Sequence, residues 1–216
     1  DTPVWELDYA ALRGFDVLDT GESVPRLAEV LDAVPPRVDV NVELKHPGRG
    51  IVECGPLDAD VLADQRAVWR DFVGDVVDVL DGYAHDVLFS SFHEGALAAA
   101  RDVDASIPLA NVFFESVASG LAVARRHDVE YFHVPLNMVL GTSRFGEPYA
   151  EGPYEPVDLL SIAREEGRRV NVWTVRDPRD GVELARAGVD GLITDLPVTV
   201  PEAGAEGSAP AVDGAD

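Results

Sequence analysis

Strand-like and helix-like segments alternate along most of this 216-residue chain. Six short apolar stretches are typical of β-strands, and helix-like segments separate them. The predicted strands cover residues 38–44, 86–91, 107–114, 130–134, 170–176 and 189–194. Because these strands are apolar on both faces and alternate with helices, they predict a parallel sheet covered by helices.

Two architectures fit this alternation, a doubly wound sheet and a (β/α)₈ barrel. A barrel needs eight strands to close, and the sequence contains six. The sequence begins with Asp1 in the middle of the pattern and ends in a natural tail. We therefore expect any missing strands to belong in front of residue 1.

Helix-start signals and apolar spacing place the helices. Ser23 is expected near the cap of a helix over residues 23–31, with Pro25 in its first turn. The longest predicted helix covers residues 57–80, where apolar residues recur every three or four positions. The other predicted helices cover residues 6–13, 94–101, 116–126, 157–166 and a segment that Asp177-Pro178 opens.

Length and composition predict a single domain over residues 1–200 and a disordered acidic tail over residues 201–216. The 40 acidic and 17 basic residues give a net charge of −23, which repels nucleic acid and anionic membranes. Charge repulsion of that size needs screening, so we expect a halophilic protein.

A single cysteine, Cys54, excludes an internal disulfide and a cysteine cluster for zinc. No apolar run spans a membrane, and no signal peptide is present, so we expect a cytoplasmic protein without integral membrane association.

The lysine content singles out one position. The chain has a single lysine, Lys45, and its other basic residues are 16 arginines. Lys45 follows Glu43 by two residues at the end of the first predicted strand, so both side chains project to the same side. A carboxylate and an ammonium at one spot suit a divalent cation and a phosphate oxygen, although a simple ion pair is the alternative.

Five segments carry a resemblance to a known family. In order, they are Val-Pro-Arg-Leu-Ala-Glu-Val-Leu (24–31), Asn-Val-Glu-Leu-Lys (41–45), Leu-Phe-Ser-Ser-Phe-His-Glu-Gly-Ala-Leu (88–97), Val-Asn-Val-Trp-Thr-Val-Arg-Asp (170–177) and Gly-Val-Asp-Gly-Leu-Ile-Thr-Asp-Leu-Pro (188–197). Together they resemble the glycerophosphodiester phosphodiesterase family, from residue 2 to residue 197. The resemblance implies an α/β fold of the (β/α)₈ TIM-barrel type, with about six of its eight βα units present and the first two missing.

The resemblance also implies a reaction and its residues. The family hydrolyses small glycerophosphodiesters to an alcohol and glycerol 3-phosphate with a divalent metal. Glu43 matches a metal ligand, Lys45 a catalytic and substrate-binding lysine near the phosphate, and Trp173 a substrate-facing tryptophan. Trp173 could equally be barrel packing. A site of carboxylate oxygens suits Mg²⁺ or Ca²⁺.

The family's catalytic histidines and two further metal ligands come from His-Arg-Gly, Glu-x-Asp and His-Asp segments that precede the helix at Val24. We expect these segments to be missing with the first two βα units, so the 216 residues alone are expected to be inactive. His85-Asp86 is a His-Asp dipeptide, but it precedes the second predicted strand and does not match the catalytic pair.

The remaining candidates favour structural roles. His46, His93, His127 and His133 lack metal-ligand spacing. The hydroxyls of the pair at residues 90–91 are expected to cap the following helix, because no nucleophile elbow surrounds them. The glycines of Gly48-Arg-Gly50 are too few for a phosphate-binding loop. Asp195 is expected to be structural, and the loop at residues 141–156 is expected to shape specificity.

Two alternatives to the family reaction stay open. One is a phospholipase-like phosphodiesterase on the same barrel, which a hydrophobic rim facing a membrane would favour. The other is a non-catalytic barrel remnant that acts as an interaction module. The sequence leaves the alcohol group of the substrate, the metal and the oligomeric state open.

Overall fold

A computed structural model describes residues 2–196 of the chain. Within these residues, six β-strands and seven α-helices alternate in the predicted order. The strands are β1 Val40–Glu43, β2 Val87–Ser91, β3 Leu109–Val112, β4 Tyr131–Pro135, β5 Arg169–Trp173 and β6 Gly191–Leu192. The helices are α1 Tyr9–Leu12, α2 Leu27–Ala33, α3 Ala59–Leu80, α4 Glu94–Val103, α5 Val117–His127, α6 Leu159–Glu165 and α7 Pro178–Ala187. The predicted tail, residues 201–216, lies outside the described residues.

All six strands form one parallel sheet in which each strand pairs with its neighbours in the sequence, in the order β1-β2-β3-β4-β5-β6. A doubly wound sheet reverses its strand order at a switch point, and a barrel does not. The described strands therefore form part of a TIM barrel, with β1 and β6 at the two edges of a half-barrel. This confirms the predicted fold class.

The core lies between the sheet and its helices. Its largest fully buried side chains include Trp69 on α3, Phe89 on β2 and Phe132 on β4. Helix α4 buries a run of alanines and packs closely on α3, because Gly95 presents no side chain to Gln65 and Trp69. A Cβ at Gly95 would lie 2.6 Å from Gln65 Cβ.

A partly buried ion cluster joins these helices. Glu94, at the start of α4, has no exposed surface. Its carboxylate accepts hydrogen bonds from the Leu57 backbone N–H at 2.6 Å and from Arg126 Nη1 at 2.9 Å, and it lies 2.8 Å from His127 Nε2. Burial alone raises the pKa of Glu94, but these hydrogen bonds and the charge of Arg126 lower it overall. The cluster ties the start of α3 and the end of α5 to α4.

The predicted start of the helix at Ser23 is wrong. Helix α2 begins at Leu27 with Arg26 as its N-cap, because the Glu29 carboxylate accepts the Arg26 backbone N–H at 2.8 Å. Ser23 instead forms an isolated antiparallel bridge with Asp16. Tyr9 also donates to Glu29, at 2.6 Å, which fixes α1 against α2.

Other boundaries differ by a few residues. The predicted helix over residues 6–13 is a 3₁₀ turn at Val4–Glu6 followed by α1, whose cap Asp8 accepts the Ala11 N–H at 2.8 Å. Of the strands predicted over residues 107–114 and 189–194, only β3 and β6 are regular β-strand in the structure. Among the helices of residues 2–196, we find none that is long and apolar enough to cross a membrane.

Candidate active site

The carboxyl ends of the strands surround a cavity of about 340 Å³. In a TIM barrel this face carries the reactive residues, because the loops after the strands converge there. Residues from β1 to the segment after β6 line the cavity, so the sheet is curved around it. The lining residues are Asn41, Glu43, Lys45, Ser90, Phe92, Val112, His133, Trp173, Thr174, Ile193 and Asp195.

Glu43 and Lys45 form an ion pair at the exit of β1. Lys45 Nζ donates to Glu43 Oε1 at 2.7 Å. The lysine side chain is 73% exposed and the glutamate side chain 31% exposed. An ammonium has three N–H donors, and the pair occupies one of them. Lys45 can therefore keep its bond to Glu43 and still donate to a ligand oxygen.

Aromatic side chains form one wall of the cavity. The Trp173 ring, at the end of β5, meets the Phe92 ring edge to face with centroids 6.1 Å apart. Phe92 in turn meets Phe114 with centroids 5.8 Å apart. Such pairs pack apolar surface beside the charged pair of Glu43 and Lys45.

The loop over residues 141–156 reaches this wall through Tyr149. Its ring lies 6.2 Å from the Trp173 ring, measured between centroids. Its hydroxyl accepts the Thr174 backbone N–H at 3.2 Å. The loop therefore contacts the cavity's aromatic side, and its role in specificity stays a prediction.

His133 and Asp195 also line the cavity, although the sequence pattern favoured structural roles for both. His133 is 2% exposed on β4, and burial lowers its pKa to about 4. Asp195 follows β6 and accepts hydrogen bonds from Arg176 Nε and Nη2 at 3.0 and 2.5 Å. Strand position was the available signal, because His133 is the third residue of β4 and Asp195 lies just past the end of β6.

The other histidines lie elsewhere. His46 stacks on Trp5, with ring centroids 3.9 Å apart, and accepts the Gly48 backbone N–H at 3.0 Å. His85 precedes β2, at the opposite end of the sheet from Glu43, and its Nε2 lies 3.0 Å from the Val34 carbonyl oxygen. The dipeptide formed with Asp86 is therefore remote from the cavity.

The serine pair divides between the core and the cavity. Ser91 is fully buried, donates to the Leu44 carbonyl at 2.7 Å and accepts the His93 N–H at 3.0 Å. His93 is the N-cap of α4, so this hydroxyl bonds the residue that precedes the helix and not one of the helix's first N–H groups; the predicted capping role is wrong in that detail. Ser90 is buried against the cavity.

The donor set for a metal is incomplete in the part of the chain that the structure describes. Glu43 is one carboxylate, and no three His, Cys, Asp or Glu side chains within residues 2–196 come together as a metal site. Mg²⁺ and Ca²⁺ need about six or more oxygen ligands, several of them from protein or substrate. The described residues do not fit a metal site by themselves.

Comparison with known proteins gives one family match. A model of the glycerophosphoryl diester phosphodiesterase family matches residues 1–199. A search of the curated proteins found no match.

Solved structures share the fold. A protein from Silicibacter pomeroyi, described as a glycerophosphoryl diester phosphodiesterase, is 21% identical with a TM-score of 0.56, and the match covers 82% of this chain and 55% of that one. A phosphodiesterase from Oleispira antarctica, solved with its product sn-glycerol-3-phosphate, is 17% identical with a TM-score of 0.65, over 93% of this chain and 71% of that one. A glycerophosphodiester phosphodiesterase from Parabacteroides distasonis is 18% identical with a TM-score of 0.57, and the match covers 88% of this chain and 67% of that one. The chain thus spans little more than half the length of the first of these proteins.

Proposed function

Because this chain belongs to the glycerophosphoryl diester phosphodiesterase family, we propose that its cavity binds glycerophosphodiesters for hydrolysis to an alcohol and glycerol 3-phosphate. The observation that carries this proposal is the meeting of Glu43, Lys45 and Trp173 in one cavity at the carboxyl ends of the strands. The product bound to the Oleispira antarctica phosphodiesterase supports the same substrate class.

Lys45 binds the phosphate. Its ammonium is exposed at the cavity and retains N–H donors beyond the one that Glu43 accepts. A phosphodiester carries one negative charge, and more charge develops as its P–O bond breaks. A lysine held at that point stabilises the developing charge, which is the main way in which enzymes catalyse phosphoryl transfer.

Trp173 holds the part of the substrate that bears no charge. Its ring, with Phe92 and Tyr149 beside it, offers a flat apolar surface next to the phosphate position. Contact with such a surface excludes water and orients the ester group toward Lys45.

The proposal includes a divalent metal ion, for which Glu43 is the one ligand that we name. In the family reaction a divalent cation, Mg²⁺ or Ca²⁺, offsets phosphate charge, and Glu43 would be one of its ligands. Within residues 2–196, no group of three or more His, Cys, Asp or Glu side chains completes that set. A general base and acid are also needed, and of the described histidines His133 alone lines the cavity, three strands from Glu43. We therefore expect the 216 residues alone to bind substrate and product without turning substrate over.

A binding module is the second candidate, and the incomplete metal site is the observation that favours it. On this reading the cavity holds glycerol 3-phosphate or its esters and performs no chemistry. The two candidates share the ligand and differ in turnover, so binding and activity need separate measurements.

Binding can be tested by NMR titration with sn-glycerol 3-phosphate. The chain contains three tryptophans, and each gives one indole N–H resonance. We expect the resonance of Trp173 to shift on saturation, whereas that of Trp69, which is fully buried behind the sheet, stays in place. An unchanged Trp173 resonance at millimolar ligand would contradict the proposed function.

A further inference from the structure

His133 is a buried polar side chain on β4 that lies beside an apolar residue of β3. Its register partner on β3 is Val112. The imidazole is 2% exposed and lines the cavity. A buried polar group without a partner is costly, so a histidine here needs its hydrogen bonds to be satisfied.

Asn171 satisfies one ring nitrogen and thereby sets the tautomer. Its Nδ2 lies 3.0 Å from His133 Nε2. An amide NH₂ group can only donate, so His133 Nε2 accepts and the neutral ring carries its hydrogen on Nδ1. Burial lowers the pKa of His133 to about 4, which keeps the ring neutral near pH 7.

Gly191 leaves the space that Asn171 occupies. Asn171 on β5 is the register partner of both His133 on β4 and Gly191 on β6. A Cβ at residue 191 would lie 2.4 Å from Asn171 Oδ1. Residues of three adjacent strands thus place the amide against the imidazole.

The other ring nitrogen is available to a ligand. Among residues 2–196, none makes a hydrogen bond to His133 Nδ1. β4 lies three strands from β1 in the sheet, a separation of about 14 Å along the sheet and less across its concave side. A phosphate held by Lys45 already has a cationic partner on that side of the cavity, so the uncharged part of a glycerophosphodiester is the part that can partner His133.

We propose that His133, positioned by Asn171, donates its Nδ1–H to a hydroxyl oxygen of the bound ligand. A neutral N–H suits an uncharged oxygen, whereas a phosphate would be better served by a cation. The hydroxyl comes from the glycerol group or from the alcohol group of the diester. This inference rests on the proposed function, because it assumes a phosphate at Lys45.

Two pairs of ligands test the inference and separate the two sources of the hydroxyl. The first pair is sn-glycerol 3-phosphate and propyl phosphate, which lacks hydroxyls on its carbon chain. The second is glycerophosphoglycerol and the propyl ester of glycerol 3-phosphate. Dissociation constants are measured by calorimetry for the unaltered chain, for His133→Phe, which has no donor, and for His133→Asn, whose amide retains one. His85→Phe, at the opposite end of the sheet, is the matched control.

We expect His133→Phe to reduce the preference for the hydroxylated ligand roughly three- to tenfold in one of the two pairs, the size of one neutral hydrogen bond. His133→Asn is expected to retain part of the preference, and His85→Phe all of it. The pair that responds identifies the hydroxyl. An unchanged preference in both pairs would overturn the inference while leaving the proposed function intact. Failure of the unaltered chain to bind any of the four ligands would overturn the proposed function and this inference with it.

A spectroscopic measurement on the unaltered chain does not depend on how the variants fold. In a chain labelled with ¹⁵N-histidine, we expect His133 to show the Nδ1–H tautomer at pH 7 and its Nδ1 resonance to move when sn-glycerol 3-phosphate or glycerophosphoglycerol saturates the site. An Nε2–H tautomer, or no movement with either ligand at saturation, would overturn the assignment.

Discussion

Lys45 Nζ lies 2.7 Å from Glu43 Oε1, yet the lysine side chain remains 73% exposed. An ion pair this exposed contributes about 0–1 kcal/mol to stability, so folding alone gives little reason for it. The ion pair instead fixes the positions of both side chains, because each charge holds the other at the mouth of the cavity. We therefore expect substitutions of Lys45 and Glu43 to change ligand binding in opposite directions.

In buffer with EDTA, Lys45→Ala is expected to weaken binding of sn-glycerol 3-phosphate about tenfold, because a charged hydrogen bond to phosphate is lost. Glu43→Gln is expected to strengthen it, because the carboxylate repels the ligand and competes for the ammonium. Calorimetric titration measures both. Arg125→Ala removes a cation from another exposed pair, with Glu166, and serves as the control. Equal effects of the lysine and arginine variants would mean that only net charge matters.

Turnover by the 216 residues is the second prediction. With Mg²⁺ or Ca²⁺ and glycerophosphocholine, we expect no release of glycerol 3-phosphate above the rate without protein, because no three His, Cys, Asp or Glu side chains of residues 2–196 come together as a metal site. A coupled assay for glycerol 3-phosphate measures this at high KCl, where the charge of −23 is screened. Turnover that Glu43→Gln abolishes would show that the chain completes the metal site in a way we do not expect.

His133 predicts how stability depends on pH. Its pKa falls from 6.5 to about 4 on folding, so between these values the unfolded chain binds a proton that the folded chain does not. Stability from this group is complete above pH 6.5 and is lost as the pH falls toward 4, by up to about 3 kcal/mol. Urea unfolding at several pH values should show a smaller loss for His133→Phe than for the unaltered chain. The charged groups that share its cavity, Glu43, Lys45 and Asp195, are present in both proteins.

Glu94 is expected to stabilise the helical layer. Glu94→Gln leaves Arg126 beside a neutral amide, and we expect it to lower the free energy of unfolding by about 2 kcal/mol at pH 7. Because folding lowers the pKa of Glu94 from 4.5, its contribution is present above pH 4.5 and is lost as the pH falls through the folded value. The two proteins should therefore become more alike in acid. Glu165→Gln, an exposed change on α6, should have little effect at either pH.

Two glycines in adjacent helices predict opposite effects of the same substitution. Gly95→Ala places a Cβ 2.6 Å from Gln65 Cβ and should destabilise the chain by more than about 1 kcal/mol, since α3 and α4 must separate. Gly74→Ala adds a Cβ with no atom within 4 Å and should stabilise α3 by about 0.5–1 kcal/mol. Thermal unfolding of both variants measures the difference. A stabilising Gly95→Ala would contradict the close packing of the two helices.

The order and type of the elements could be predicted from the sequence because short apolar segments mark the strands and each long helix has an apolar stripe. The start of α2 could not. Ser23 and Pro25 fit a helix start locally, but the Glu29 carboxylate accepts the Arg26 N–H and so starts the helix later. The same carboxylate accepts a hydrogen bond from Tyr9 on α1. The start of α2 thus depends on a contact between Glu29 and Tyr9, which is 20 residues away in the chain, and a local sequence pattern does not reveal such a contact.

The candidate site was predicted in part. Lys45 and Glu43 stood out because lysine is otherwise absent, and Trp173 stood out through its motif; all three line one cavity. The sequence pattern favours structural roles for His133 and Asp195, because a lone histidine within a strand and an aspartate just after a strand have no distinctive local pattern. Their place in the cavity follows from strand register and curvature, which are properties of the assembled sheet.

The strand order of the sheet is also the order in which a ribosome makes the strands. Each new βα unit finds its pairing edge already present, and no strand has to wait for a later one before it can dock. The half-barrel can thus grow vectorially from β1 to β6, with every intermediate exposing one fresh edge. The strand order therefore permits folding in the direction of synthesis.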